Sequence, residues 1–175
     1  MPIRSNQVQT QYIVTGNPDT VNVSTTYFDA QPGHVLPHVQ GRYQFVQCDS
    51  GATAANTVGV VAAAQLAFWK IGAVGQYIVT NDLRLAADGR NGVAGIFRNA
   101  VTAGNYCYVL QKANSVAVKG TSGSPLDILI ANSGTAADTT SIAAGSNFTY
   151  RPIGTVTVAT AGGNVTADID IPSAV

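Results

Sequence analysis

His34 and His38 stand four residues apart, a spacing that on a helix would put two imidazoles on one metal-binding face. Pro37 lies between them and Pro32-Gly33 just before, so the stretch does not read as helix, and no third ligand is near in sequence. These are the only histidines in the chain. Any Ser–His or Cys–His nucleophile would have to recruit one of them from a proline-rich segment. Cys107, flanked by Tyr106 and Tyr108 in a β-rich run, reads as core packing rather than as an activated thiol. Cys48 and Cys107 are far apart in sequence, which leaves two readings: a disulfide, or two buried free thiols, favoured where no export signal is visible. Asp168 and Asp170 share one face of a strand, and paired carboxylates can do acid–base work on glycosides. Ile169 and Ile171 face the other way, so the aspartates read as an ordinary solvent face.

The remaining motifs are equally spare. There is no GxxxxGK[ST] phosphate loop, no dinucleotide fingerprint around Gly72/Gly75 or Gly92/Gly95, and no EF-hand-like aspartate series. Three sequons, at Asn22, Asn147 and Asn164, read as chance in an Asn- and Thr-rich chain without an export signal. Tyr43, Trp69 and Tyr106 could stack on sugars or bases, but most such rings are expected in the core. No catalytic, cofactor-binding or metal-ligating residue is assigned, no cofactor is expected, and the expectation is a protein that is not an enzyme.

The elements that would position these residues are β-strands. Of 175 residues, 46% are apolar, enough for one domain with a full core. Only 10% are charged, against roughly 25% in ordinary soluble domains. Glu is absent and Lys scarce, while Val and Thr abound, which argues against helices and for strands. Nine basic and nine acidic residues are scattered singly, so no basic run exists to neutralise nucleic-acid phosphates. No stretch is apolar for long enough to cross a bilayer as a helix, and Met1-Pro-Ile-Arg begins no secretory signal. Such a weakly charged surface suits coverage by copies of the chain or by a partner.

Along the chain, residues 1–40 hold four of the prolines and few apolar runs. They read as an extended N-terminal arm with edge-strand pieces at most, Tyr12, Ile13 and Val14 being the candidate anchor on a neighbour. Residues 41–175 read as a compact β-barrel or sandwich. Arg42–Cys48 alternates as a strand, 57–61 and 66–70 are expected strands, and Asp88-Gly89 with Asn91-Gly92 marks turns. The stretch 92–119 reads as three short strands, with turns at 103–105 and around Asn114. Residues 126–131 form an apolar strand, 132–147 a long loop, and 153–171 the clearest hairpin.

The runs Gly41-Arg-Tyr-Gln-Phe-Val-Gln, Ala67-Phe-Trp-Lys, Gly75-Gln-Tyr-Ile-Val-Thr, Val93-Ala-Gly-Ile-Phe and Ala100-Val-Thr-Ala-Gly-Asn-Tyr, with the closing hairpin from Pro152, have a shared texture. Over about three quarters of the chain, on a single-domain reading, this texture resembles the capsid decoration (head-stabilising, or cement) proteins of tailed bacteriophages. The resemblance implies a β-rich domain, often a homotrimer, that binds the outer face of an assembled icosahedral shell and locks neighbouring major capsid protein subunits together. It implies a virion location on the capsid exterior after synthesis in the host cytoplasm, with no nucleic-acid or membrane partner. Other readings stand beside it: another virion component (tail tube, spike or minor head protein), a carbohydrate-binding module with exposed coplanar aromatics, and a hydrolase with a cleft joining a histidine to Ser, Cys or Asp.

Overall fold

The computed structural model describes residues 17–25, 31–49, 53–54, 57–58, 60–61, 63–73, 75–121, 123–132, 138–146, 149–161 and 163–172. The strands, in chain order, are β1 (Val35–His38), β2 (Gly41–Cys48), β3 (Thr53–Ala54), β4 (Thr57–Val58), β5 (Val60–Val61), β6 (Leu66–Trp69) and β7 (Ile78–Thr80). They continue with β8 (Val93–Phe97), β9 (Val101–Thr102), β10 (Tyr106–Lys119), β11 (Ile128–Ala131), β12 (Thr139–Ile142), β13 (Gly154–Ala161) and β14 (Asn164–Asp170). The helical pieces among the described residues are three-residue 3-10 turns. The expected all-β class is therefore the observed one.

Five strands close on themselves. β2 pairs with β7, β7 with β6, β6 with β8, β8 with β10, and β10 returns to β2. All of these pairings are antiparallel except β2–β7, which is parallel. Closing a sheet removes its edges, and a ring of so few strands leaves a narrow interior that only small or slim side chains can fill. The smaller of two apolar cores is made mostly of such side chains, with Phe97 as its one large ring. It consists of Val46, Cys48, Ala67, Val79, Ala94, Phe97, Val101, Cys107 and Val109, and it draws on all five strands of the ring. At Gly95 the packing leaves no room for a side chain: a Cβ there would lie 2.8 Å from Val109 Cβ and 2.9 Å from the Leu110 carbonyl oxygen. Two amides share the inner side, Gln111 Nε2 donating to Gln44 Oε1 at 2.6 Å and to the Ala94 carbonyl at 3.2 Å. Buried polar atoms need such partners to offset their desolvation.

The larger core takes the alternate residues of the same strands, Tyr43, Phe45, Leu66, Phe68, Tyr108 and Leu110 among them, with residues of β11, β13 and β14. Period-two alternation explains how one strand serves both cores: in β2, Tyr43 and Phe45 go to one, Val46 and Cys48 to the other. β10 joins the two layers. Its first half pairs with β2 and β8, and its second half pairs with β14, from which the sheet continues through β13 and β11 to β12.

Two expectations are corrected here. The turn expected around Asn114 is a bulge inside a single 14-residue strand. Ser115 takes a left-handed φ of 56°, and the ladder to β14 resumes at Val116. Asn114-Ser115 has local turn chemistry, but pairing on both sides of it keeps the strand continuous. The long loop expected at 132–147 contains β12, which lies on the sheet edge and pairs with β11. Its Thr-Thr-Ser-Ile sequence lacks an apolar alternation because an edge strand buries less than a central one.

Of the expected N-terminal arm, only residues 17–25 and 31–40 are among those described. Tyr12, Ile13 and Val14 lie outside them. Residues 17–25 run across the barrel: Val23 exchanges backbone hydrogen bonds with Tyr106 at 2.7 and 3.0 Å, and the Asn22 side chain accepts from Thr102 N and Asn105 Nδ2. Pro18 opens a 3-10 turn and is buried, with Asn17 capping it. Residues 35–38 hairpin onto β2 as the edge strand β1, which holds Pro37. A proline on an edge strand costs no ladder bond and discourages further pairing.

Candidate functional site

A groove lined by several ionisable side chains opens between the β1–β2 hairpin and the bulged stretch of β10, and has a volume of about 680 Å³. Apolar Leu110, Ala113 and Val116 are buried beneath it, while His38, Arg42, Arg98 and Lys112 supply its polar walls. Gly41 lets the hairpin approach β10, since a Cβ there would meet the Lys112 carbonyl oxygen and Leu110 Cδ1, and its φ of +150° disfavours any side chain.

One end of the groove is closed by residues 17–25. Asp19 accepts from the Tyr43 hydroxyl at 3.0 Å and pairs with Arg98 at 3.5 Å. Burial, then the Asp19 carboxylate, raise the Tyr43 phenol above its ordinary range, so it stays protonated and works as a donor. His38 packs its ring edge-on to Tyr43, and its Nδ1 accepts from Gln40 N at 3.3 Å. At the other end, three strands bring charges into one row. Lys112 on β10 is directly opposite Arg42 on β2 and also opposite Asp170 on β14. Lys112 Nζ lies 2.7 Å from Asp170 Oδ2, and Arg42 Nη2 lies 3.8 Å from Asp170 Oδ1. Arg42 Nη2 also donates to the Ile171 carbonyl at 2.7 Å. The neighbouring Asp168 is engaged by Ser115 N at 2.8 Å.

The residues weighed from sequence sit elsewhere or serve other ends. His34 is an exposed residue just before β1, and His38 is half-buried in the groove wall. Among the described residues no three His, Cys, Asp or Glu side chains gather as a metal site. Cys48 and Cys107 are free, buried and part of the barrel interior. Burial, then the adjacent Asp49, push the Cys48 thiol up to about 12, and burial with Cys48 beside it pushes Cys107 well above its ordinary value. A thiol held protonated in this way is a poor nucleophile. Asp168 and Asp170 do point outward, but each is engaged by a neighbouring donor. Tyr43 is buried, while Tyr106 stacks on Phe45 at 5.8 Å and Trp69 packs edge-on to Tyr77.

Sequence reasoning missed Arg42, Arg98 and Lys112 as a group. Each is a lone cation in or beside an apolar strand, and the only local signal was Lys112 interrupting the run from Tyr106. No family model matches the chain, and a comparison with the curated proteins finds no match.

Proposed function

We propose that this chain is a virion structural protein, a capsid decoration protein that binds the outer surface of an assembled icosahedral shell and stabilises it. Its partners in this reading are the major capsid protein and further copies of itself in a homotrimer, and it catalyses no reaction. The resemblance carried by the runs between Gly41 and the closing hairpin supports the reading. The observation that bears most weight is β10, one 14-residue strand that belongs both to the closed barrel and to the β14–β13–β11–β12 layer. A protein that holds neighbours together under load must not deform between its contacts. A shared strand couples the two layers through backbone hydrogen bonds as well as through packing.

Residues 17–25 strengthen the case. They are stitched to the barrel by Val23, Asn22 and Asp19, so this described part of the N-terminal stretch is packed on its own domain beside the groove. The test is to incubate the purified full chain with expanded shells that lack it and to image the particles. Density at repeated positions on the shell exterior, together with a raised temperature of shell disruption, is the expected result. Shells that stay bare at micromolar protein, or density on tails alone, would overturn it.

A further inference from the structure

The row Arg42–Lys112–Asp170 is incomplete. Arg42 and Lys112 are directly opposite on paired strands, an arrangement that is destabilising for like charges unless a counter-charge is present. A single carboxylate, Asp170, serves both, close to Lys112 at 2.7 Å and far from Arg42 at 3.8 Å. Asp19, in the groove lining, is tied to Tyr43 and Arg98 at the far end, and Asp168 is held by Ser115 N. The groove's own lining therefore sets Arg42, Lys112 and Arg98 against one carboxylate, Asp19, over an apolar floor, while Asp170 and Asp168 flank it from β14. Lys112 keeps 56% of its side chain exposed and Arg42 33%, so both can meet an incoming group. Val39, at 94% exposure, stands at the hairpin tip next to them.

The geometry points to this groove as the docking site for an acidic segment of a partner protein, with one Asp or Glu side chain seated between Arg42 and Lys112 as the second counter-ion and an aliphatic neighbour against Val39. An Arg fork presents two parallel donors to a carboxylate, and Lys adds a third from the next strand. The inference deepens the reading of the chain as a decoration protein, the partner being the shell subunit, and it rests on that reading for the partner's identity alone.

The experiment titrates the ¹⁵N-labelled full chain with hexaglutamate, with hexalysine and inorganic phosphate as controls. Saturable shifts at Arg42, Lys112 and Val39 with hexaglutamate alone are expected, weakening as salt is raised. The Arg42→Gln/Lys112→Gln variant should bind at least about tenfold more weakly. Lys112→Gln alone, which leaves the Arg42 contact to Ile171 in place, should also bind more weakly. Asp170→Asn should bind hexaglutamate more tightly, because it removes the competing internal carboxylate; a merely structural role for the row predicts no such gain. Unmoved groove residues, equal shifts with phosphate, or an Asp170→Asn variant that binds no better would overturn the inference. Shell binding by the same variants separates the two readings. Wild-type binding with an unaffected double variant sinks the groove and leaves the decoration role standing, whereas absent wild-type binding with intact hexaglutamate shifts sinks the decoration role alone.

Discussion

Gly95→Ala should destabilise the protein by about 2–3 kcal/mol, near the upper end for overpacking a filled core. Gly95 lies in strand β8, outside the left-handed backbone region, so the cost is one of space. The added methyl would lie 2.8 Å from both Cβ and Cγ2 of Val109 and 2.9 Å from the Leu110 carbonyl oxygen, where ordinary contact begins near 3.4 Å. Two of these atoms belong to a side chain with no exposed surface, and the third is backbone in the central strand β10. None of them can swing away as the end of a flexible side chain would. For a chain of this length each kcal/mol moves the midpoint by about 2–4 °C, so a drop of about 4–12 °C is expected in a thermal melt. Val109→Ala alone should cost about 2 kcal/mol for its two lost methyls. Combined with Gly95→Ala it should cost less than the sum by about 1 kcal/mol, because the new methyl enters space that Cγ2 leaves. A Gly95→Ala melt that coincides with wild type, or strict additivity in the cycle, would refute the closed, filled barrel on which the reasoning stands.

Three further outcomes follow from particular side chains. Stability should fall as pH rises above 9: unfolded thiols release their protons near that value, whereas Cys48 holds its proton to about 12 and Cys107 likewise titrates high. The folded state then binds more protons than the unfolded one, each such group contributing a slope of about 1.4 kcal/mol per pH unit. Tyr108, pushed up to about 12 by burial, joins above pH 10. Urea midpoints that are flat from pH 8 to 11 would contradict this. The Tyr108 hydroxyl is buried with no hydrogen-bond partner among the described residues, so Tyr108→Phe should be neutral or stabilising. By contrast, Tyr43→Phe, which removes one of the Asp19 carboxylate's donors and leaves it only the Arg98 pairing, should cost about 1 kcal/mol in the same melts. Leu126 is 72% exposed with a left-handed φ of 75°, so Leu126→Gly should raise stability by about 0.5–1 kcal/mol, and a lowered melting midpoint would show that its side chain packs usefully.

The barrel strands were legible where the signal was local. Arg42–Cys48 alternates between the two cores, and the residues at 164–170 alternate between exposed and buried positions as their types suggest. Ala103-Gly104-Asn105 turns the chain as its composition implies, with Gly104 at a positive φ. The candidate groove was not legible. Its walls come from residues 19, 38, 42, 98 and 112, none of which has a charged neighbour in sequence that would flag it.

Amino-acid types alone pointed to the all-β class: no Glu, few Lys, β-branched runs and turn dipeptides disfavour helices, and the one Ala-rich run, residues 62–70, is closely bounded by Gly59 and Gly72. Only the tertiary structure decided that β2 and β7 run parallel, that Tyr106–Lys119 is one strand, that Thr139–Ile142 joins the sheet, and that Lys112 stands between Arg42 and Asp170. These are properties of pairing partners far apart in the chain. A residue's own propensity sets its backbone preference, but register and ring closure depend on which distant strand lies beside it.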